Sequence, residues 1–154
     1  MRLAVYAPLS GALATLGKVP DPVFAAQMVG SGMAVEPADN AGPVDVAAPV
    51  AGLIATVRPH AFVIRTAGGA AVLVHLGIDT VRLNGEGFRT HVTEGEQVEV
   101  GRNVVTFDPD AVRARGLSAI CPVVVLDSPP GSAQAPAATG PVRAGALMFN
   151  WAAS

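Results

Sequence analysis

Two of the chain's three histidines, His60 and His75, flank a segment with the pattern of a β-hairpin. The residues on either side of Gly68-Gly69 are rich in valine, isoleucine, leucine and phenylalanine. A glycine pair suits a two-residue hairpin turn, because both turn positions need positive φ in the type I′ geometry. The pattern therefore predicts two antiparallel strands, each with one histidine near its outer end.

The predicted turn determines which residues face each other. With position 67 opposite position 70, His75 lies opposite Phe62, and His60 lies opposite Gly77. Side chains alternate between the two faces of a sheet, so one set of residues shares a face. This set is His60, Phe62, Ile64, Leu73 and His75. The two imidazoles would be diagonal neighbours with Cβ atoms on the order of 5–8 Å apart, whereas a loop of odd length would remove the alignment.

Paired imidazoles on an apolar face allow three interpretations: ordinary polar residues with local partners, zinc ligands, or a phosphoryl-transfer site. A neutral imidazole nitrogen is a good nucleophile, and histidine is largely neutral near pH 7. His75 and Asp79 have the His-x-x-x-Asp spacing of some zinc peptidases, but no His-x-His pair supplies a further ligand. A peptidase is therefore disfavoured, while a zinc ion that His60 and His75 share with a partner stays open. His91 is flanked by polar residues and is expected to be solvated.

The rest of the composition excludes several classes of protein. Residues 48–52 and 94–101 resemble the two halves of a biotinyl or lipoyl carrier domain, but the only lysine, Lys18, lies outside the hairpin tip that such a domain modifies. The single cysteine, Cys121, rules out an internal disulfide and suggests a reducing compartment. The basic residues are scattered, which does not indicate nucleic-acid binding. No run of 18 apolar residues predicts a transmembrane helix.

Glycine and proline interrupt the chain at short intervals, between stretches rich in valine and leucine. This rhythm predicts an all-β fold, a sandwich or barrel, in a single domain over residues 1–154. The predicted strands are 2–6, 32–36, 52–58, 62–66, 71–76, 97–100, 104–107, 121–126 and 143–149. Short helices are predicted at 22–29 and 108–115, with Asp21 and Asp108 as N-caps. The segment 128–141, rich in Ser, Pro, Gly and Ala, is predicted to be a flexible surface loop.

Several motifs together resemble one known family. The most specific is Val-His-Leu-Gly-Ile-Asp-Thr-Val at 74–81, followed by Leu-Asn-Gly-Glu-Gly-Phe at 83–88. Further matching stretches are 7–11, 19–25, 28–32, 48–50, 60–62, 94–95 and 122–124. In these stretches the chain resembles the glucose-type enzyme IIA (EIIA) of the bacterial phosphoenolpyruvate-dependent sugar phosphotransferase system.

The resemblance implies a compact antiparallel β-sandwich, similar to a duplicated hybrid motif, with one or two short helical turns. It implies that His75 is phosphorylated on Nε2, as a tele-phosphohistidine, and that His60 assists the transfer. The implied donor is the histidine phosphocarrier protein HPr, and the implied acceptor is a cysteine on the EIIB domain of a sugar permease. No cofactor or resident metal is implied. The expected protein is a free-standing, cytoplasmic phosphotransferase component that meets the membrane only transiently, through the permease, and does not insert into it.

The resemblance also implies a shallow apolar depression that docks both partners. The residues expected there are Asp21, Val23, Phe24, Phe62, Leu73, Asp79 and Val81. Asp21 and Asp79 match acidic positions that meet an arginine of the donor, and as steering charges they suit such a patch. Without a partner, Asp21 is explained as a helix N-cap and Asp79 as a turn residue, and both roles are compatible.

One departure from the family and two open points accompany this interpretation. Many family members carry threonine two residues before the helper histidine, where this chain has Arg58. Support for His60 is therefore expected from elsewhere, such as the backbone. The alternative function is a regulatory module that docks transporters or metabolic enzymes through the same face. The sugar, for example glucose or N-acetylglucosamine, is not determined by these residues.

Overall fold

The computed structural model describes residues 2–153, so Met1 and Ser154, the ends of the predicted domain, lie outside the described residues. The strands are β1 (Arg2–Tyr6), β2 (Gly11–Thr15), β3 (Gly30–Glu36), β4 (Val44–Ala47), β5 (Gly52–Arg58), β6 (Ala61–Arg65), β7 (Ala71–His75), β8 (Phe88–Thr90), β9 (Gln97–Val98), β10 (Asn103–Phe107), β11 (Cys121–Leu126), β12 (Ala133–Gln134), β13 (Gly140–Val142) and β14 (Leu147–Ala152). The helices are α1 (Pro22–Ala25) and α2 (Pro109–Ala114), and 3₁₀ turns lie at Leu16–Lys18 and Thr80–Leu83.

The strands of residues 2–153 form one large and two small sheets, and their pairings are antiparallel. The large sheet has the order β13-β2-β3-β11-β7-β6-β5-β9. The small sheets have the orders β1-β14-β12 and β4-β10-β8. The predicted all-β class, an antiparallel sandwich with two short helices, is confirmed.

Alternation along the central strands of the large sheet builds the main core. On β7, Val72 and Val74 are fully buried, whereas Leu73 and His75 on the other face are half-buried. The inner-face residues belong to one hydrophobic cluster with side chains of the small sheets, among them Val5, Phe107 and Phe149. The outer face of the large sheet is thus left to carry His75.

A second, smaller hydrophobic cluster covers part of that outer face. It consists of Leu16, Val19, Phe24, Ala34, Ile78, Ile120 and Val124, with Leu73 packed against it. Phe24 reaches this cluster from α1, which begins after Asp21. Because an apolar layer lies on each side of the sheet, both faces of β6 and β7 carry hydrophobic residues.

The predicted register of the β6–β7 hairpin is wrong by one residue. Ala61, not Phe62, lies opposite His75, and Phe62 lies opposite Val74. The turn contains three residues rather than two, since the Thr66 amide donates to the Ala70 carbonyl across positions 67–69. A one-residue shift moves every side chain to the other face, so Phe62 points into the core instead of sharing a face with His75.

Both helices begin as predicted but end earlier. The Asp21 carboxylate accepts hydrogen bonds from the amides of Val23 and Phe24. The Asp108 carboxylate likewise accepts from the amides of residues 110 and 111. Such N-caps are worth about 0.5–2 kcal/mol, a large contribution for helices this short.

Strands β1, β5 and β11 match their predicted bounds, whereas β2, β4, β8, β12 and β13 were not expected. The segment 128–141 contains β12 and the start of β13. Its polar groups are also tied to the body of the protein, because the Ala133 amide donates to Ser31 Oγ and Trp151 Nε1 donates to Ser132 Oγ. Strand β12 is Ala-Gln and β13 is Gly-Pro-Val, so most of their residues are poor strand formers, and both strands form through their neighbours rather than through intrinsic strand preference.

Candidate active site

The two predicted histidines lie together at one end of the large sheet. His75 is the last residue of β7, and His60 lies in the two-residue turn between β5 and β6. Their ring centroids are 5.4 Å apart with an interplanar angle of 73°. The pairing arises because Ala61 lies opposite His75, which places the turn residue before it beside the end of β7. The predicted proximity therefore holds, but through a different register.

The His75 ring is oriented by the backbone just beyond it. Its Nδ1 lies 2.5 Å from the carbonyl oxygen of Gly77. Because a carbonyl can only accept, Nδ1 carries the hydrogen and donates it, and a neutral ring then has its lone pair on Nε2. The structure thereby fixes which nitrogen is available as a nucleophile.

The turn that holds the Gly77 carbonyl is itself tightly packed. Gly77 has φ +78°, and a Cβ atom there would lie 2.6 Å from Thr80 Cγ2 and 2.8 Å from the Ser118 carbonyl oxygen. The buried Thr80 hydroxyl donates to the Leu76 carbonyl at 2.7 Å, and the Ile78 amide donates to the Ser118 carbonyl at 3.0 Å. Glycine is therefore required at position 77 both by backbone conformation and by space.

Both imidazoles are held neutral near pH 7. Burial of the ring lowers the pKa of His75, and the hydrogen bond to Gly77 and the charges of Asp21 and Asp79 only partly oppose this effect. Burial also lowers the pKa of His60, and the charges of His75 and Arg58 lower it further. A neutral nucleophile and a neutral neighbouring donor are thus both present at physiological pH.

His60 is anchored through its backbone. The Leu76 amide donates to the His60 carbonyl at 2.7 Å, which links the β5–β6 turn to the end of β7. Within residues 2–153, no protein group hydrogen-bonds the His60 ring, so one ring N–H can point toward a group bound at His75. This backbone contact fixes the turn, whereas the expected support for the His60 ring itself stays a prediction.

Apolar side chains lie in the segments that adjoin the histidine pair, and they are called the apolar rim. The Phe24 ring lies 5.5 Å from the His75 ring, centroid to centroid, and is itself only 8% exposed. Val23 is 46% exposed and Val81 61% exposed, so both present apolar surface to solvent. Met28, which was not among the expected residues, is 74% exposed and lies three residues after the end of α1, where its amide donates to the Val23 carbonyl. Its position within the family-like stretch 28–32 was the signal that could have identified it.

The structure separates the expected docking residues into three groups. Phe24 contacts His75, exposed Val23 precedes it in α1, exposed Val81 lies in the 3₁₀ turn that follows β7, and half-buried Leu73 packs against the same cluster as Phe24. Phe62 is fully buried in the main core, so its predicted place in the docking surface is wrong, because the one-residue register shift turns its side chain inward. Asp21 and Asp79 are close enough to His75 for their charges to act on its pKa.

The other reactive side chains are arranged differently. Cys121 is fully buried, and burial raises the pKa of its thiol to about 12, so it stays a protonated thiol. His91 is half-buried rather than solvated, with Nε2 2.7 Å from Thr106 Oγ1, which donates to Asp45. In the described part of the chain, no three His, Cys, Asp or Glu side chains converge into a group that could hold a metal ion.

Comparison with known proteins identifies the family. The family model described as phosphoenolpyruvate-dependent sugar phosphotransferase system, EIIA 1, matches residues 3–129. The chain belongs to this family. The match includes both histidines, the rim residues and the turn at Gly77.

Individual relatives agree with this assignment. The chain is 48% identical over 125 residues to the glucose-specific EIIA component of Halalkalibacterium halodurans, and the matched region covers 80% of this chain and 70% of that relative. It is 42% identical over 126 residues to the glucose-specific EIIBCA component of Corynebacterium glutamicum, of which it spans only 18%. The solved structure of glucose permease IIA from Mycoplasma capricolum superposes with a TM-score of 0.84 at 34% identity, covering 97% of this chain and 96% of that one. None of the helices in residues 2–153 is long and apolar enough to cross a membrane.

Proposed function

We propose that this protein is a phosphocarrier of the sugar phosphotransferase system, a phosphotransferase component that accepts a phosphoryl group on His75 Nε2 and passes it on. The observation that carries the proposal is the hydrogen bond from His75 Nδ1 to the Gly77 carbonyl, within a histidine pair bordered by apolar side chains. This contact leaves Nε2 as the nucleophilic atom. Family membership supports the same role.

The first transfer step requires no added cofactor. The Nε2 lone pair attacks the phosphorus of the phosphohistidine on HPr, a new N–P bond forms, and the donor's N–P bond breaks with its electron pair returning to the donor nitrogen. His75 keeps its Nδ1 proton throughout, so the product is a phosphoimidazolium whose N–H still donates to Gly77. The phosphoryl group remains activated because the neutral imidazole of His75 is the leaving group when the next nucleophile attacks phosphorus.

His60 serves as a hydrogen-bond donor to the phosphoryl group. Its ring is 5.4 Å from that of His75, a separation that suits contact with an oxygen of a group on Nε2. The lowered pKa keeps His60 neutral, so it donates a hydrogen bond without requiring protonation. Its proposed contribution lies in the transfer steps, where charge shifts among the phosphoryl oxygens.

The exposed apolar rim supports docking of partner proteins. Val23, Met28 and Val81 offer hydrophobic surface, and Asp21 and Asp79 add negative charge near it. Such a patch favours a partner with a matching apolar surface and a nearby cationic side chain, and HPr is the proposed partner of this kind. The fused EIIBCA relative supports an EIIB domain as the acceptor, with a cysteine thiolate attacking the phosphorus and releasing neutral His75. The expected place of work is the cytoplasm, with contact to the membrane only through the permease.

The test is phosphoryl transfer with purified components. The protein is incubated with phosphoenolpyruvate, enzyme I and HPr, and acid-labile phosphate is measured by mass spectrometry. Wild type should take up one phosphoryl group, and His75→Gln none. His60→Gln should accept the group but donate it slowly to an EIIB domain. Absence of labelling in wild type would favour the regulatory docking module instead, and undiminished donation by His60→Gln would remove the helper role.

A further inference from the structure

The cationic residue Arg58 lies on the same face of the sheet as His75, two strands away. Arg58 pairs with Ala61 across β5 and β6, and Ala61 pairs with His75 across β6 and β7. Residues directly opposite in antiparallel strands point to the same side, so these three side chains form one row. Adjacent strands are separated by about 4.8 Å, which puts Arg58 and His75 about 10 Å apart at the backbone. The residue between them in the row carries only a methyl group.

The Arg58 guanidinium is engaged with Glu94, but loosely. Arg58 Nη1 lies 3.3 Å from Glu94 Oε2, and the same carboxylate oxygen accepts from the Val57 amide at 3.2 Å. The two charged side chains are 63% and 50% exposed. Exposed pairs of this kind contribute about 0–1 kcal/mol, so little free energy opposes movement of the guanidinium to a stronger anion.

We propose that Arg58 is a phosphoryl-binding residue that leaves Glu94 when His75 is phosphorylated and donates hydrogen bonds across Ala61 to the phosphoryl oxygens. The inference rests on the proposed function, since it requires phospho-His75. A phosphoryl dianion carries more charge than a carboxylate, and its oxygens match the planar fork of a guanidinium in a two-bond arrangement. Both anions would lie within reach of one long side chain, on opposite sides of β5.

Two observations beyond the strand register support this role. The charge of Arg58 already acts on the neighbouring His60, whose pKa it helps to lower, so its field extends into the site. The His60 ring itself has no hydrogen-bond partner among residues 2–153, and a phosphoryl group bound between it and Arg58 would receive donors from two sides. Arg58 and His60 would then hold the group from flanking positions on one turn.

Glu94 has a defined part in this arrangement. It holds the guanidinium away from His75 in the unphosphorylated protein and also accepts a hydrogen bond from the Val57 amide near the end of β5. Glu94→Gln keeps an oxygen acceptor for that amide but removes the charge that competes for Arg58. Loss of the Glu94 charge should therefore favour the phosphorylated state, whereas loss of Arg58 should disfavour it.

The experiment measures the equilibrium of phosphoryl exchange between HPr and the full chain, by ³¹P NMR on mixtures of the two proteins. Arg58→Gln should shift the equilibrium toward phospho-HPr by about tenfold, the low end of the range for hydrogen bonds to charged groups, because the Arg58 side chain is exposed. Arg58→Lys should recover part of this loss, and Glu94→Gln should shift the equilibrium the other way. Arg65→Gln is the matched control. Like Arg58, Arg65 is an exposed arginine, but it lies on β6 opposite Ala71, at the far end of the hairpin from His75.

A direct readout accompanies the equilibrium. On phosphorylation, the side-chain ¹⁵N resonances of Arg58 should shift, whereas those of Arg65 should not. Equal exchange constants for Arg58→Gln and Arg65→Gln, or unchanged Arg58 resonances, would overturn the inference while leaving the phosphocarrier role intact. Failure of wild type to accept a phosphoryl group would instead overturn the proposed function. The wild-type ¹⁵N readout does not depend on any variant, so a variant that fails to fold leaves the inference testable.

Discussion

Gly77→Ala should damage both the stability of the protein and the orientation of the His75 ring, the proposed nucleophile. An alanine forced to the observed φ of +78° costs roughly 1–2 kcal/mol in the left-handed region. The added methyl group would lie 2.6 Å from Thr80 Cγ2 and 2.8 Å from the Ser118 carbonyl. Overpacking of this kind adds about 1–3 kcal/mol, so the expected total loss is about 2–5 kcal/mol in the free energy of unfolding.

Gly116→Ala provides a matched control. Gly116 has φ +80°, nearly the same as Gly77, but its Cβ would have no heavy atom within 4 Å. Its substitution should cost only the backbone part, about 1–2 kcal/mol. The difference between the two variants, about 1–3 kcal/mol, isolates the close packing around Gly77.

Urea denaturation followed by circular dichroism measures both losses. Long-range ¹H–¹⁵N spectra of the histidine rings report whether Nδ1 of His75 still carries the proton that Gly77 accepts. The control should keep the wild-type tautomer, and Gly77→Ala should show a mixture of tautomers together with slower phosphoryl acceptance. The reasoning is refuted if the two variants lose equal stability and share one tautomer.

Three further predictions concern charge, capping and burial. Because the folded-state pKa of His75 lies below its unfolded value, the folded protein binds fewer protons, and its stability should fall as pH drops below about 6.5 toward that lowered pKa. Thermal melts at several pH values measure this effect, and a His75→Gln variant that keeps the full wild-type pH dependence would contradict it. Asp21→Ala should destabilise the protein by about 0.5–2 kcal/mol through loss of the N-cap. Asp21→Asn should retain most of the stability but slow association with HPr at low salt, as measured by stopped flow, and association rates equal to those of wild type would argue against electrostatic steering. Cys121, buried with a thiol pKa of about 12, should react with iodoacetamide only after unfolding, and labelling of the native protein at pH 8 would contradict its burial.

The sequence predicted that His60 and His75 lie together, but it predicted the wrong strand register around them. The two N-caps followed directly from Asp-Pro pairs, because side-chain capping and a proline in the first turn are local effects. The β6–β7 register could not be derived, since Gly68-Gly69 fits both a two-residue turn and the observed three-residue turn. Polarity did not resolve the ambiguity, because hydrophobic clusters lie on both faces of these strands and alternation is weak.

The proximity of the histidines survived this error for a separate reason. His60 lies in the β5–β6 turn, not within a strand, so its ring is not confined to one face of the sheet. Phe62 had no such freedom, and the one-residue shift moved it into the core. The partner of Arg58 was equally hidden from sequence, because Glu94 reaches the turn from a loop 36 residues away.

The most direct test of the central claim is to identify the phosphorylated nitrogen. The protein, labelled with ¹⁵N-histidine and phosphorylated through HPr, is observed in a long-range ¹H–¹⁵N spectrum with ³¹P coupling. The hydrogen bond from Nδ1 to Gly77 predicts one phosphoryl group on Nε2 of His75, with Nδ1 still protonated. A phosphoryl group on Nδ1 of His75, or on His60, would contradict the account.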